Sequence, residues 1–91
     1  MTLLINRSDV QRLLPMPKAI HVLEAAFAEL DAGSAEMPNR AVIVHPTVGG
    51  WLAYMPSYLK SGGALGVTAV TVYKGNPEQF GLPTTIGTIL V

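Results

Sequence analysis

The sequence predicts an α+β fold, with two N-terminal helices packed on a largely antiparallel sheet. Three observations lead there. Up to Gly33 the apolar residues recur at helical spacing. After Met37-Pro38 the period drops to that of strands. The later segments are separated by short Gly- and Pro-bearing breaks, which gives the order β-α-α-β-β-β-β.

Each element has its own signal. Thr2 to Ile5 is a short apolar run and reads as a strand. Ser8 then reads as a helix N-cap, because Gln11 stands three residues on at capping-box spacing and Asp9 suits the first turn. Leu13 and Leu14 close that segment before Pro15. Pro17 opens a second helix, at the first-turn position where a missing N–H costs nothing. Met16, Ile20, Leu23, Phe27 and Leu30 follow on one face and read as a core stripe, and Gly33 ends the helix as a left-handed cap.

Ala41–His45 and Trp51–Met55 are the next two strands, joined by a hairpin loop over residues 46–50. Ser61-Gly62-Gly63 breaks the chain before a long strand from Ala64 to about Tyr73. Gly75-Asn76-Pro77 turns it again, and Thr84 to Val91 is the last strand. On the long strand one face reads Ala64, Gly66, Thr68, Val70 and Val72, and the other reads Leu65, Val67, Ala69, Thr71 and Tyr73. Neither is polar, so both are expected to be covered, one of them by something outside this sequence. The chain ends in Ile89-Leu90-Val91 with no turn residue and no polar tail, which reads as a cut through a strand.

Composition agrees with an incomplete unit. The sequence has 91 residues, 49% of them hydrophobic and only 13% charged, against roughly 25% charged in an average domain. A single domain of this size buries only about 60–65% of its unfolded surface, too little for so much apolar material. Six basic and six acidic residues cancel, which disfavours a nucleic-acid face. No apolar run approaches the roughly 18 residues of a membrane span. The first residues lack the basic segment of a signal peptide, and the absence of cysteine suits a cytoplasmic protein.

Chemistry-bearing motifs are few. The sequence contains no Gly-x-Gly-x-x-Gly, P-loop or His-Glu-x-x-His pattern. Gly49-Gly50 and Gly62-Gly63 read as turns, His21 and His45 lie in different elements, and no metal site is expected. Glu24, Glu29, Asp31 and Glu36 read as a solvated face, as do Arg12 and Lys18. Arg40 stands apart, because it enters an apolar strand on the face of Val42 and Val44. Its guanidinium offers a planar fork of donors that suits a carboxylate, or else it is a strand-end arginine that reaches solvent.

Five segments in order resemble the N-terminal part of the ornithine cyclodeaminase/mu-crystallin family. They are LINRSDVQRLLPMPKAIHVLEAAFAELDAG, MPNRAVIV, YMPSYL, GALGVTAVTVYKGNP and GLPTTIGTILV, and they cover nearly the whole sequence. The resemblance implies a partial N-terminal substrate-binding and dimerisation domain over residues 1–91, from a dimeric protein about three times longer with a Rossmann domain in its middle. It implies NAD as cofactor of the full-length protein, and a small amino or imino acid as substrate. The reaction would be deamination and cyclisation of ornithine to proline, or a related amino or imino acid redox step. The Gly-rich dinucleotide turn, the catalytic acidic residue and the returning C-terminal part would lie beyond Val91, so this piece alone is expected to be inactive and not to bind NAD. A non-catalytic dimerisation or small-acid-binding module is the alternative.

By the same resemblance, Arg40 matches the family arginine that grips the substrate carboxylate, and Thr84 in Leu82-Pro83-Thr84 matches a threonine near NAD. Thr68 falls where the family pattern Gly-Val-Lys has a lysine that also serves the substrate. A hydroxyl there hydrogen-bonds a carboxylate without neutralising it, and losing a charged hydrogen bond costs about 1.5–3 kcal/mol. Lys74 cannot stand in, since six residues along a strand span about 20 Å.

Overall fold

Regular structure begins at Asn6, in a computed structural model that describes residues 1–91. Helix α1 spans Arg7–Leu13, and its cap is Asn6 rather than Ser8. The Asn6 side chain accepts the Asp9 N–H at 3.0 Å, while the Asp9 carboxylate accepts the Asn6 N–H at 3.2 Å. Asn and Ser are about equally good caps, so the reciprocating partner decides the start. A charged carboxylate accepts more strongly than the Gln11 amide and suits the helix dipole. The strand expected over Thr2–Ile5 does not form: no strand of the sheet pairs with it, and Leu3 and Leu4 are exposed. An extended segment without a partner has nowhere to place its backbone hydrogen bonds except water.

Helix α2 spans Met16–Asp31, with Pro17 in its first turn as expected. It ends in a Schellman motif: Gly33 takes a φ of 76°, its N–H reaches the Leu30 carbonyl, and the Ser34 N–H reaches that of Glu29 at 2.9 Å. The apolar stripe finds little cover within these residues. Met16 is 70% exposed and Phe27 66%, and α2 meets the sheet chiefly at strand β1, Ala35–Glu36. Leu23, Phe27 and Leu30 line a groove facing Tyr58 and Leu59. Glu29, assigned from the sequence to a solvated face, is half-buried and accepts the Ser61 N–H at 3.3 Å, which ties the helix to a sheet turn.

The other strands are β2 (Ala41–His45), β3 (Gly50–Leu59), β4 (Ala64–Val72) and β5 (Thr85–Leu90). Every pairing is antiparallel, so the α+β class with an antiparallel sheet holds. β4 occupies one edge of β3 along its whole length, and β1 and β2 share the other edge. β3 runs past the expected end at Met55 and through Pro56. This is tolerated because β2 stops pairing at Tyr54 and β1 starts at Tyr58, so Pro56 has a partner on one side only. The turn expected at Gly75-Asn76-Pro77 is a short helix, α3 (Asn76–Phe80), closed by Gly81 at φ 63°.

Very little of this sheet is enclosed. Ala53, at the centre of β3, is the one buried hydrophobic residue, and Gly50 is the other buried position. The accessible surface is 7584 Å², whereas a folded monomer of this mass exposes roughly 5,100 Å². The radius of gyration, 15.9 Å, compares with about 12 Å for a compact domain of this length. These elements are built to be covered.

Candidate functional site

The register of the sheet brings two of the three candidate residues together. Thr68 of β4 pairs with Met55 of β3 on one side and with Ile89 of β5 on the other. Arg40 lies one residue before Ala41, which pairs with Tyr54, so continuing that register sets Arg40 opposite Met55. Arg40, Met55, Thr68 and Ile89 therefore form one cross-strand row. Residues abreast in a sheet point to the same face, here the face of Val42, Ala53 and Val70. Strands lie about 4.8 Å apart, which puts the Arg40 and Thr68 backbones roughly 10 Å from each other. An arginine side chain on one flank and a hydroxyl on the other can share a group the size of a carboxylate across that gap.

The electrostatics of the row rest on Arg40 alone. It is exposed and has no ion-pair or side-chain hydrogen-bond partner in the chain, whereas Arg12 pairs with Asp9 at 3.2 Å and Lys60 with Glu36 at 3.5 Å. Thr68 is half-buried, and Met55 between them is apolar and half-buried. Lys74 lies past the end of β4 and is exposed, so it is distant from the row.

Thr84 is placed elsewhere. Its carbonyl accepts the Tyr73 N–H at 2.9 Å, which continues the β4–β5 register one step beyond Thr85. That rung is five residues along β4 from Thr68, or about 17 Å, and alternation assigns it to the opposite face. Beside it, Thr47, Val48, Tyr73, Gly75, Asn76, Gln79 and Phe80 line a cup of about 480 Å³. Tyr73 lies so close to the Gly50 backbone that a Cβ there would collide with its ring. The sequence predicts a turn at Gly75-Asn76-Pro77 and no cup beside it. Pro at the second position of a short segment that closes on Gly81 was the available signal for a helix there.

This arrangement of helices and antiparallel strands has counterparts among known proteins. The sequence model of the ornithine cyclodeaminase/mu-crystallin family matches residues 1–91. This chain belongs to that family. Alanine dehydrogenase of Archaeoglobus fulgidus is 31% identical over 90 residues, which are 99% of this chain and 26% of that protein. Thermococcus litoralis Δ1-pyrroline-2-carboxylate reductase, solved with NADH and L-proline, superposes with a TM-score of 0.89 at 40% identity, covering 98% of this chain and 27% of the reductase. An archaeal alanine dehydrogenase dimer with bound NAD superposes at 0.85 and 31% identity, with 98% and 26% covered. The chain thus spans about a quarter of the length of the relatives it matches.

The polar groups of the cup are hydroxyls and neutral amides, with no cation among the lining residues. That donor set fits an uncharged edge of NAD. The Gly-rich strand-to-helix turn that takes a pyrophosphate is not among these residues.

Proposed function

We propose that these 91 residues form the N-terminal part of a substrate-binding and dimerisation domain in an NAD-dependent enzyme of amino or imino acid metabolism. In this reading Arg40 grips the carboxylate of a small amino or imino acid, and Thr68 offers it a second, uncharged hydrogen bond. Thr84 touches the edge of the dinucleotide. The observation that carries the reading is the cross-strand row, which sets Arg40 and Thr68 abreast on one face with Met55 between them. NAD, when bound by the full-length protein, would accept or deliver the hydride. The present residues bind and orient the acid. Alone they are proposed to be catalytically inactive and not to hold NAD.

The relatives support a redox reaction of this class, in which alanine and the proline/pyrroline-2-carboxylate pair are the substrates to try first. Ornithine cyclodeamination is the further possibility within the family. The surface left open on both sides of the sheet supports a homodimer, and the lack of cysteine suits the cytoplasm. The substitution of Thr68 for the family lysine favours one other reading, a non-catalytic module that dimerises and binds small acids.

Calorimetric titration of the full-length protein with L-proline and L-alanine, with and without NAD, tests the proposal. Binding of one of these acids, strengthened by NAD, is the expected result. Heats of dilution only, for both acids and NAD, would overturn it. Binding of the acids with no binding of NAD would select the non-catalytic module.

A further inference from the structure

We propose that Asn76 is a positioning residue for the dinucleotide edge of the site, acting through the Pro83–Thr84 segment. This rests on the reading of Thr84 as an NAD contact and adds what holds Thr84 in place. Asn76 opens α3, yet its bonds run to both ends of the connection between β4 and β5. Its N–H donates to the Tyr73 carbonyl at 3.1 Å, and its own carbonyl accepts the Leu82 N–H at 3.2 Å. Its side-chain Nδ2 donates to the Pro83 carbonyl at 3.1 Å.

The last bond is the informative one. Pro83 has no N–H, so its carbonyl is the only backbone hydrogen-bonding group it can use to fix the segment. The strand pair is joined at that end by the Tyr73 N–H donating to the Thr84 carbonyl at 2.9 Å, while the Tyr73 carbonyl is taken by the Asn76 N–H. Asn76 thereby links Tyr73, Leu82 and Pro83, and the residue that follows Pro83 is Thr84. An amide is needed at this position. Aspartate has nearly the same shape but no donor, and it would set a carboxylate against a carbonyl. Asn76 also lines the cup, so the group that fixes the loop stands beside the space the loop borders.

The row of Arg40 and Thr68 lies about 17 Å away along β4, so a change at Asn76 reaches the dinucleotide edge and not the carboxylate row. The test uses the full-length protein and two variants, Asn76→Asp and Asn76→Ala, so that one remains if the other does not fold. Hydrogen exchange without NAD reads the clamp directly: the amides of Leu82 and Tyr73, which donate to the Asn76 and Thr84 carbonyls, should exchange faster in both variants. Titration with NAD should show affinity about tenfold weaker, as for the loss of one hydrogen bond. Titration with whichever of L-proline or L-alanine the wild type binds should change less than twofold. Unchanged exchange, unchanged NAD affinity, or parallel weakening of both ligands would each overturn the assignment. Failure of the wild type itself to bind NAD would instead strike the proposed function, and this inference with it.

Discussion

Arg40 and Thr68 stand two strands apart on one face of the sheet, each abreast of Met55. In the proposed function this row takes a carboxylate with one positive charge fewer than the Arg–Lys pair of the family pattern. Thr68→Lys should therefore strengthen carboxylate binding by the full-length protein about tenfold or more, the value of a charged hydrogen bond. Calorimetric titration with a small amino acid measures it, and equal affinities would remove Thr68 from the substrate site.

Arg40→Ala should abolish that binding in the wild type, where Arg40 is the one cation of the row, and should also abolish it in the Thr68→Lys background, because a single ammonium does not replace the planar fork that holds the carboxylate. An Arg40→Lys change keeps the charge and loses the planar fork, so it should restore only part of the affinity. Full binding by Arg40→Ala would show that the carboxylate is held elsewhere.

Gly50 and Tyr73 allow a test of the far end of the sheet. A methyl group at Gly50 would overlap the Tyr73 ring, and Gly50 is buried. Gly50→Ala should destabilise the full-length protein by about 1–3 kcal/mol, as overpacking does. Removing the ring by Tyr73→Ala in the same chain should recover part of that loss, giving a coupling in a double-mutant cycle of denaturation midpoints. Strict additivity of the two changes would mean the contact carries no energy.

The start of α1 separates two caps that look alike in sequence. Asn6→Ala should cost about 1 kcal/mol, since it removes the Asn6 side-chain acceptor for the Asp9 N–H. Ser8→Ala should stay within about 0.5 kcal/mol, as a surface change does. Chemical denaturation of the two variants measures both, and the reverse order would restore Ser8 as the cap.

Association should be measurable on the 91-residue chain itself. Its surface of 7584 Å² exceeds by roughly 2,500 Å² what a compact monomer of its mass exposes. That excess is within the range of obligate interfaces. Sedimentation should show assembly or loss of cooperative folding, and a stable, well-folded monomer would defeat the expectation.

The sequence alone was enough to establish the α+β class, the bounds of β2 and the end of α2 at Gly33, because period, Pro and Gly act locally. Strand periods of two residues and helix periods near 3.6 are visible in any stretch long enough to show them. Arg40 was singled out by a charge entering an apolar strand, and Thr68 and Thr84 by the resemblance of their segments to a family. That a whole strand, β3, lies between Arg40 and Thr68 was not legible. Residues 40 and 68 come to share a face, with Met55 between them, through two antiparallel registers, and a slip of one residue in either would have sent one of them to the other face. The choice of Asn6 over Ser8, the passage of β3 through Pro56 and the absence of a strand at Thr2–Ile5 were likewise decided by which partners stood near. So was the clamp from Asn76 to Pro83, seven residues apart in sequence. Hydrogen bonds between side chains and distant carbonyls have no period, and only the folded chain brings them within reach.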